Sequence, residues 1–337
     1  MAALAVCVAL AAAPLVASPC PGEHCIDVRP QDEVLLVSVR GLGCSTDTEA
    51  FAAGLRCERH VQAMPRGQRW HGISLDEFLA SFTPDRSTIV FAHGNRIEEN
   101  EVRSRSLYVY SRLVACRGDD RPLRYVIFSW PSDEIDGVLR DVRVKAARTR
   151  PAGLQLAWIV DQIHRPDVPL GLIGYSFGTR VQSGAAHLLA GGSLSGLRLN
   201  ATGPAPPMRA VWIAPAFAAD WLGPGRYHGL AMNPVETLLV GINRRDPAMR
   251  YFAWVDRKQH PQAMGLAGPT YLARETARRV KLFNATSQVG RSHDMCKYMA
   301  INGLMSNAWR RLTFADSPPH VVTPMPPMAS AAPSAIR

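Results

Sequence analysis

At 337 residues the chain can hold one large domain or two smaller ones, and 47% hydrophobic with 20% charged residues is ordinary for a soluble globular fold, which excludes fibrous and mainly disordered classes. The formal net charge of +10 does not point to nucleic acid: lysine occurs only at 145, 258, 281 and 297, the other basic residues are arginines spread along the chain, and no nucleic-acid motif accompanies them. The one basic concentration, Arg140, Arg143, Lys145, Arg148 and Arg150, reads as a solvated helix face, with peripheral contact to an anionic membrane surface, or an acidic substrate, as the alternative.

Residues 1–18 are rich in Ala, Val and Leu and uncharged, like the apolar core of a secretory signal, with Val16-Ala17-Ser18 as a small-residue cleavage site. A basic stretch before them is missing, and Pro19 would follow the cut. Export to the periplasm or cell envelope is the expectation, a cytoplasmic location the alternative. Six cysteines remain after residue 18, an even number that suits disulfides; Cys20–Cys25 and Cys44–Cys57 are candidate pairs. Cys20 and Cys25 lack a second ligand pair at zinc-site spacing, so no metal is expected.

Residues 19–86 read as an N-terminal extension contributing a strand and a helix. Glu33–Arg40 is a strand by its β-branched content, Thr48–His60 has helical character, and 61–86 is loop-like with a short helix near Leu75–Ser81. The core is expected over 87–315. Ser87–Ala92 is a buried-strand signal running into His93-Gly94-Asn95, and Leu123–Ser129 is another, ending in Trp130-Pro131-Ser132. A long helix follows over Arg143–His164, with Pro151 marking a kink or break.

Residues 168–179 open with an apolar, buried-strand run that ends at Gly174, and a helix begins at Phe177 and runs to Leu189. Further strands are expected at Met208–Pro215, Glu236–Asn243 and Arg279–Ala285, then a helix over Asp294–Trp309 capped by Ser292. Residues 316–337 form a Pro-rich tail expected to be disordered. Strands alternating with helices predict an α/β fold with a mostly parallel sheet covered on both faces, and no insertion is long enough for a large lid. Phe217–Val235 is the one segment suited to a small cap or substrate-lining loop.

Chemistry concentrates at Gly174-Tyr175-Ser176-Phe177-Gly178. This G-x-S-x-G between strand and helix is the pattern of a nucleophile elbow, a sharp turn whose flanking positions must be small. The plainer reading has Ser176 capping the helix. An elbow enzyme needs an acid and then a histidine, each on a loop after a later strand. Asp246 follows the strand ending at Asn243, and His293 follows the last strand; Asp220 and Asp256 are the alternative acids. Ser176 would attack an acyl carbon, His293 would move the proton, and Asp246 would hold the imidazole. Backbone N–H groups of Asn95 and Phe177 would form the oxyanion hole. Tyr175, Trp221 and Trp130 are candidate substrate-lining residues.

These motifs resemble the α/β-hydrolase superfamily. The nearest resemblance is to bacterial hydrolases of unsettled function that carry an HG loop with Asn (Phe91-Ala92-His93-Gly94-Asn95), then Phe128-Ser129-Trp130-Pro131-Ser132, then the serine elbow. In that group an Asp follows the Trp-Pro-Ser segment, and Asp141 is the match here. The resemblance spans about residues 87–310 and implies the fold and a Ser-His-Asp triad without naming a substrate. The expected activity is cofactor-free hydrolysis of an ester or thioester in a small acyl substrate. The alternatives are an amidase or peptidase with the same triad, or a non-catalytic envelope binding protein on the same fold.

Overall fold

The computed structural model describes residues 26–62, 69–163, 168, 170–254 and 261–315. The expected signal segment, the Cys20–Cys25 pair and the Pro-rich tail lie outside them.

Strand β1 (Glu33–Ser38) is followed by one helical turn, α1 (Phe51–Gly54), and by strands β2 (Arg56–His60) and β3 (Trp70–Ile73). The helix expected over 48–60 is therefore confined to one turn. Its second half pairs antiparallel with β1, Cys57 opposite Val37, because ladder pairing and burial of Cys57 outweigh local helical preference. Next come α2 (Leu75–Ala80), β4 (Ser87–Ala92), α3 (Val102–Ala115), β5 (Leu123–Ser129) and α4 (Val138–Ile163). Ser74 caps α2 through a reciprocal pair with Glu77, the capping box its spacing encodes.

Helix α4 is not broken at Pro151. A proline there leaves the carbonyl of Ala147 without its helical donor. The Arg150 guanidinium supplies one instead, Nε to Ala147 O at 3.4 Å.

The remaining elements are β6 (Leu170–Tyr175), α5 (Phe177–Leu189), β7 (Met208–Ile213), β8 (Val235–Ile242), short helices α6 (Pro247–Arg250), α7 (Met264–Ala267) and α8 (Arg274–Arg278), β9 (Val280–Asn284), α9 (Thr286–Val289), α10 (Met295–Met299) and α11 (Asn302–Leu312). The last expected helix is thus two helices with a turn at Ile301. Its cap is Asp294, whose side chain accepts from Cys296 N, and not Ser292.

The nine strands form one sheet in the order β3-β2-β1-β5-β4-β6-β7-β8-β9. All neighbours are parallel except the pairs β1–β2 and β2–β3. The central strands are buried on both faces, which is why they read as largely apolar runs. One core, including Val90, Phe128, Leu156, Val181 and Trp212, lies on the side of α4 and α5. The other, including Phe91, Tyr125, Val109 and Trp309, lies on the side of α3 and α11. The architecture is an α/β fold with a mostly parallel, doubly covered sheet, as the alternation of elements predicts. Strands β1, β2 and β3 extend the same sheet at one edge.

Among the described residues no helix is long and apolar enough to cross a membrane. Cys44, Cys57 and Cys116 are free thiols and Cys296 is disulfide-bonded, so the expected Cys44–Cys57 pair does not form. Cys57 is buried in the sheet and Cys44 is exposed on the loop before α1, which keeps the two apart in environment.

Candidate active site

Parallel strands bring their C-terminal ends, and the loops that follow, to one end of the sheet. Ser176 lies at that end between β6 and α5. Its backbone is left-handed in φ (52°, with ψ −121°), a strained conformation for a residue with a side chain. The turn is tight because both flanking glycines are needed. A Cβ at Gly178 would lie 2.0 Å from Ala92 O, and one at Gly174 would lie 2.7 Å from Gln182 Oε1. Ser176 makes no side-chain capping bond to α5, so its hydroxyl is left for another partner.

That partner is His293, Nε2 lying 2.9 Å from Ser176 Oγ. Its other ring nitrogen, Nδ1, is 2.7 Å from Asp246 Oδ2. A carboxylate has no proton to donate, so Nδ1 carries the hydrogen and Nε2 is the acceptor facing the serine. Asp246 is completely buried and caps α6, Oδ1 accepting from Met249 N at 3.2 Å. Burial by itself would raise its carboxyl. The facing His293, bonds from His293 and Tyr298, and the Met249 N–H outweigh that, and the group lies below its ordinary value. Asn243 Nδ2 donates to Gly290 O at 2.9 Å and to Ser292 O at 3.3 Å, fastening the loop that carries His293 to the end of β8.

Tyr298 is the residue that sequence reasoning missed. Its hydroxyl donates to Asp246 Oδ2 at 2.8 Å, the same oxygen that receives His293. Burial, then the Asp246 charge, push the phenol well above its ordinary range, so it stays a donor. Only its place in the helix after His293 could have signalled it, and buried tyrosines in helices are common.

Of the residues expected to line a substrate site, Tyr175 stacks on the His293 ring (centroids 5.3 Å apart) and donates its hydroxyl to His293 O at 3.0 Å. It is buried and braces the histidine. Trp130 is fully buried; Nε1 donates to His93 O at 2.9 Å and the ring stacks on His93. It therefore has no surface for a substrate, and its role is to lock two loops. Trp221 is partly buried in a cluster with Phe217, Tyr227 and His228, with the Arg180 guanidinium 4.6 Å above its ring. These contacts pin segment 214–234 along α5. Asp220 pairs loosely with Arg226 (3.6 Å) and not with His293; Asp256 lies outside the described residues.

Phe177 is the first residue of α5, where N–H groups have no intrahelical acceptor. The loop of Asn95 runs against the elbow: a Cβ at Gly94 would fall 3.2 Å from Ser176 Cβ. His93 is buried and neutral, lowered to about 3 chiefly by burial and secondarily by Arg40. The basic stretch on α4 is not a uniform solvated face. Lys145 is fully buried, because it pairs with Asp141 (2.8 Å) one turn back. Among the described residues no group of three or more His, Cys, Asp or Glu is placed to hold a metal ion.

No known family profile matches this chain, and no curated protein does. Among solved structures it is similar in part to esterase B from Lactobacillus rhamnosis (12% identity, 88% of this chain and 92% of that one, TM-score 0.37). Carboxyl esterase 2 from the mycorrhizal fungus Tuber melanosporum gives 11% identity over 78% of this chain and 82% of that one, with a TM-score of 0.37. A Pyrobaculum calidifontis esterase gives 14% identity over 69% and 78%, with a TM-score of 0.33. Likeness of this degree transfers neither activity nor substrate.

Proposed function

We propose that the chain is a serine hydrolase that cleaves an ester or thioester through an acyl-enzyme. One observation carries the reading: Ser176 Oγ, both ring nitrogens of His293 and Asp246 Oδ2 form one hydrogen-bonded chain on a strained strand-to-helix turn. Such a chain has a defined chemistry. His293 Nε2 takes the hydroxyl proton as Ser176 Oγ attacks the acyl carbon. The C–O or C–S bond to the leaving group then breaks, and the imidazolium protonates the departing atom. A water deprotonated by the same nitrogen releases the acid. Asp246 keeps the proton-bearing Nδ1 turned toward itself and stabilises the imidazolium. The N–H groups of Phe177 and Asn95 receive the developing oxyanion.

The rival reading, a binding protein that retains only the fold, requires neither the strained φ at Ser176 nor two short bonds to one imidazole. The test is labelling by a fluorophosphonate probe together with turnover of short acyl esters. Wild type labels and turns over; Ser176→Ala does neither. Absence of labelling in wild type, or equal labelling of Ser176→Ala, would sink the hydrolase reading.

A further inference from the structure

Behind the loop that carries Asn95 lies a buried set of charges that the triad does not use. Asp141 is completely buried near the start of α4, and its carboxylate accepts four donors. Oδ2 takes Asn95 Nδ2 at 2.7 Å and Arg96 Nε at 3.0 Å. Oδ1 takes Lys145 Nζ at 2.8 Å and Ile135 N at 3.1 Å. Four donors saturate the lone pairs of a carboxylate. Burial favours the neutral acid, but the bonds from Lys145, Arg96 and Asn95 overcome it and hold the group below its ordinary value. Lys145, equally buried, also donates to the carbonyl of Asp133 in the loop after β5. Arg40 completes the set, reaching Asp133 Oδ2 at 2.6 Å and Ile97 O at 2.8 Å.

A buried ion pair is a poor way to gain stability, because desolvation offsets most of the attraction. Its geometry here has another consequence. The network seizes the Asn95 side chain and the Arg96 side chain, and Arg96 N donates to Ser132 O at 2.9 Å. Arg96 has φ +55°, a left-handed conformation that an arginine keeps only where its surroundings over-determine it. The loop so held abuts Ser176 at Gly94.

We propose that Asp141, with Lys145 as its buried counter-ion, is the positioning residue of the oxyanion side: it fixes the Asn95–Arg96 turn so that the Asn95 N–H stays aimed at the oxyanion. The inference rests on the hydrolase reading and extends it to residues that touch neither substrate nor triad. Ser176 and His293 are untouched by the network, so loss of Asp141 weakens transition-state stabilisation while ground-state binding persists.

The experiment uses the full chain. Asp141→Asn keeps the shape, removes the charge and places a second amide beside that of Asn95. Its kcat is expected to fall about 10²-fold, the loss typical of one oxyanion donor, with KM within about threefold. The inhibition constant of a trifluoromethyl ketone, whose adduct with Ser176 carries an oxyanion, is expected to rise by the same factor as kcat/KM falls. Lys145→Met keeps the test decisive should Asp141→Asn not fold; about a tenfold loss with the same kcat-only signature is expected. A merely structural role would lower the amount of folded protein and leave kcat per folded molecule and inhibitor affinity unchanged, and that result overturns the inference. Wild-type turnover with unchanged variants overturns it alone. A wild type that neither labels nor turns over overturns the hydrolase reading as well.

Discussion

On one side of Ser176 stand His293, Asp246 and Tyr298, a short chain of hydrogen bonds with one formal charge, packed among aromatic rings. On the other side stand Asn95, Arg96, Asp141, Lys145, Asp133 and Arg40, a network of opposite charges drawn from four segments of chain. The difference follows from what each side must do. On the hydrolase reading the histidine side moves a proton, so it needs one defined tautomer and a single acceptor; Asp246 sets the tautomer and the aromatic rings hold the imidazole in place. The other side moves nothing. It holds backbone N–H groups in place in a strained loop, and a saturated carboxylate is a rigid anchor for that. Perturbing the two sides should therefore give different signatures.

The largest effect is expected on the histidine side. In Asp246→Asn the new amide donates to Nδ1 and turns the imidazole to the tautomer that cannot accept from Ser176. A loss of about 10⁴-fold in kcat with KM nearly unchanged is expected from steady-state kinetics. A loss below tenfold would mean that Tyr175 and the loop after β9 orient His293 without the acid, and the contrast between the two sides would collapse.

Gly178→Ala strikes both sides at once. The added Cβ meets Ala92 O at 2.0 Å, so either α5 or the end of β4 must move, and the oxyanion loop departs from β4. A displacement near 1 Å at the reacting centre costs about 10²-fold in rate, and overpacking of this kind costs about 1–3 kcal/mol in stability. Calorimetry and kinetics on the same sample check both; an unchanged protein would show that the turn has slack.

Tyr298→Phe sharpens the histidine side alone. It removes one of two donors to Asp246 Oδ2 and leaves the His293 bond in place. A bond to a charged group contributes about 1.5–3 kcal/mol, only part of which is felt in the transition state, so a loss of roughly tenfold in kcat/KM is expected. The loss belongs to kcat, and trifluoromethyl ketone affinity should follow kcat/KM less closely than in Asp141→Asn.

The histidine side was also the legible one. Each of Ser176, Asp246 and His293 follows a strand, and the stretches Leu170–Tyr175 and Leu238–Ile242 are apolar runs that a parallel sheet demands. Their order along the chain then suffices to nominate them. On the network side the sequence nominates Asn95, from its loop after a strand, and Asp141, through the resemblance alone, but nothing in it shows that their side chains meet. Lys145 sits among arginines on an amphipathic helix, and only the approach of the Asp133 loop and Asp141 shows that it points inward. Trp130 misled for a related reason: next to a motif loop it reads as a site wall, yet its ring is spent on His93. The strand at Arg56–His60 was hidden because its burial comes from neighbours, not from its own alternation. Position along the chain is readable where one element ends in one functional residue; juxtaposition of charges from four segments is not.

The smallest effect separates the two sides by pH. His93 lies on the network side, fully buried, and is held neutral down to about 3. Its folded value is below its unfolded one, which is near 6.5. From pH 6.5 downward the unfolded chain takes up this proton and the folded chain does not, so stability falls with pH by up to about 1.4 kcal/mol per unit and levels off near the folded value. His228, lowered well below its usual value by burial and then by Arg180 and His187, and His187, lowered mainly by burial, add slopes of the same sign. The lowered carboxyls of Asp246 and Asp141 act elsewhere: their contributions are present above about 3.8 and vanish only as pH falls through their folded values. Between pH 7.5 and 5.5 the slope therefore reports histidines. Urea unfolding across that range should show wild-type stability declining, His93→Asn declining less by up to about 1 kcal/mol per unit, and Tyr298→Phe declining in parallel with wild type because Asp246 stays ionised throughout. A His93→Asn slope equal to that of wild type would mean that His93 accepts a proton in the folded protein. The interior behind the Asn95 loop would then be wetter than a saturated, rigid anchor permits.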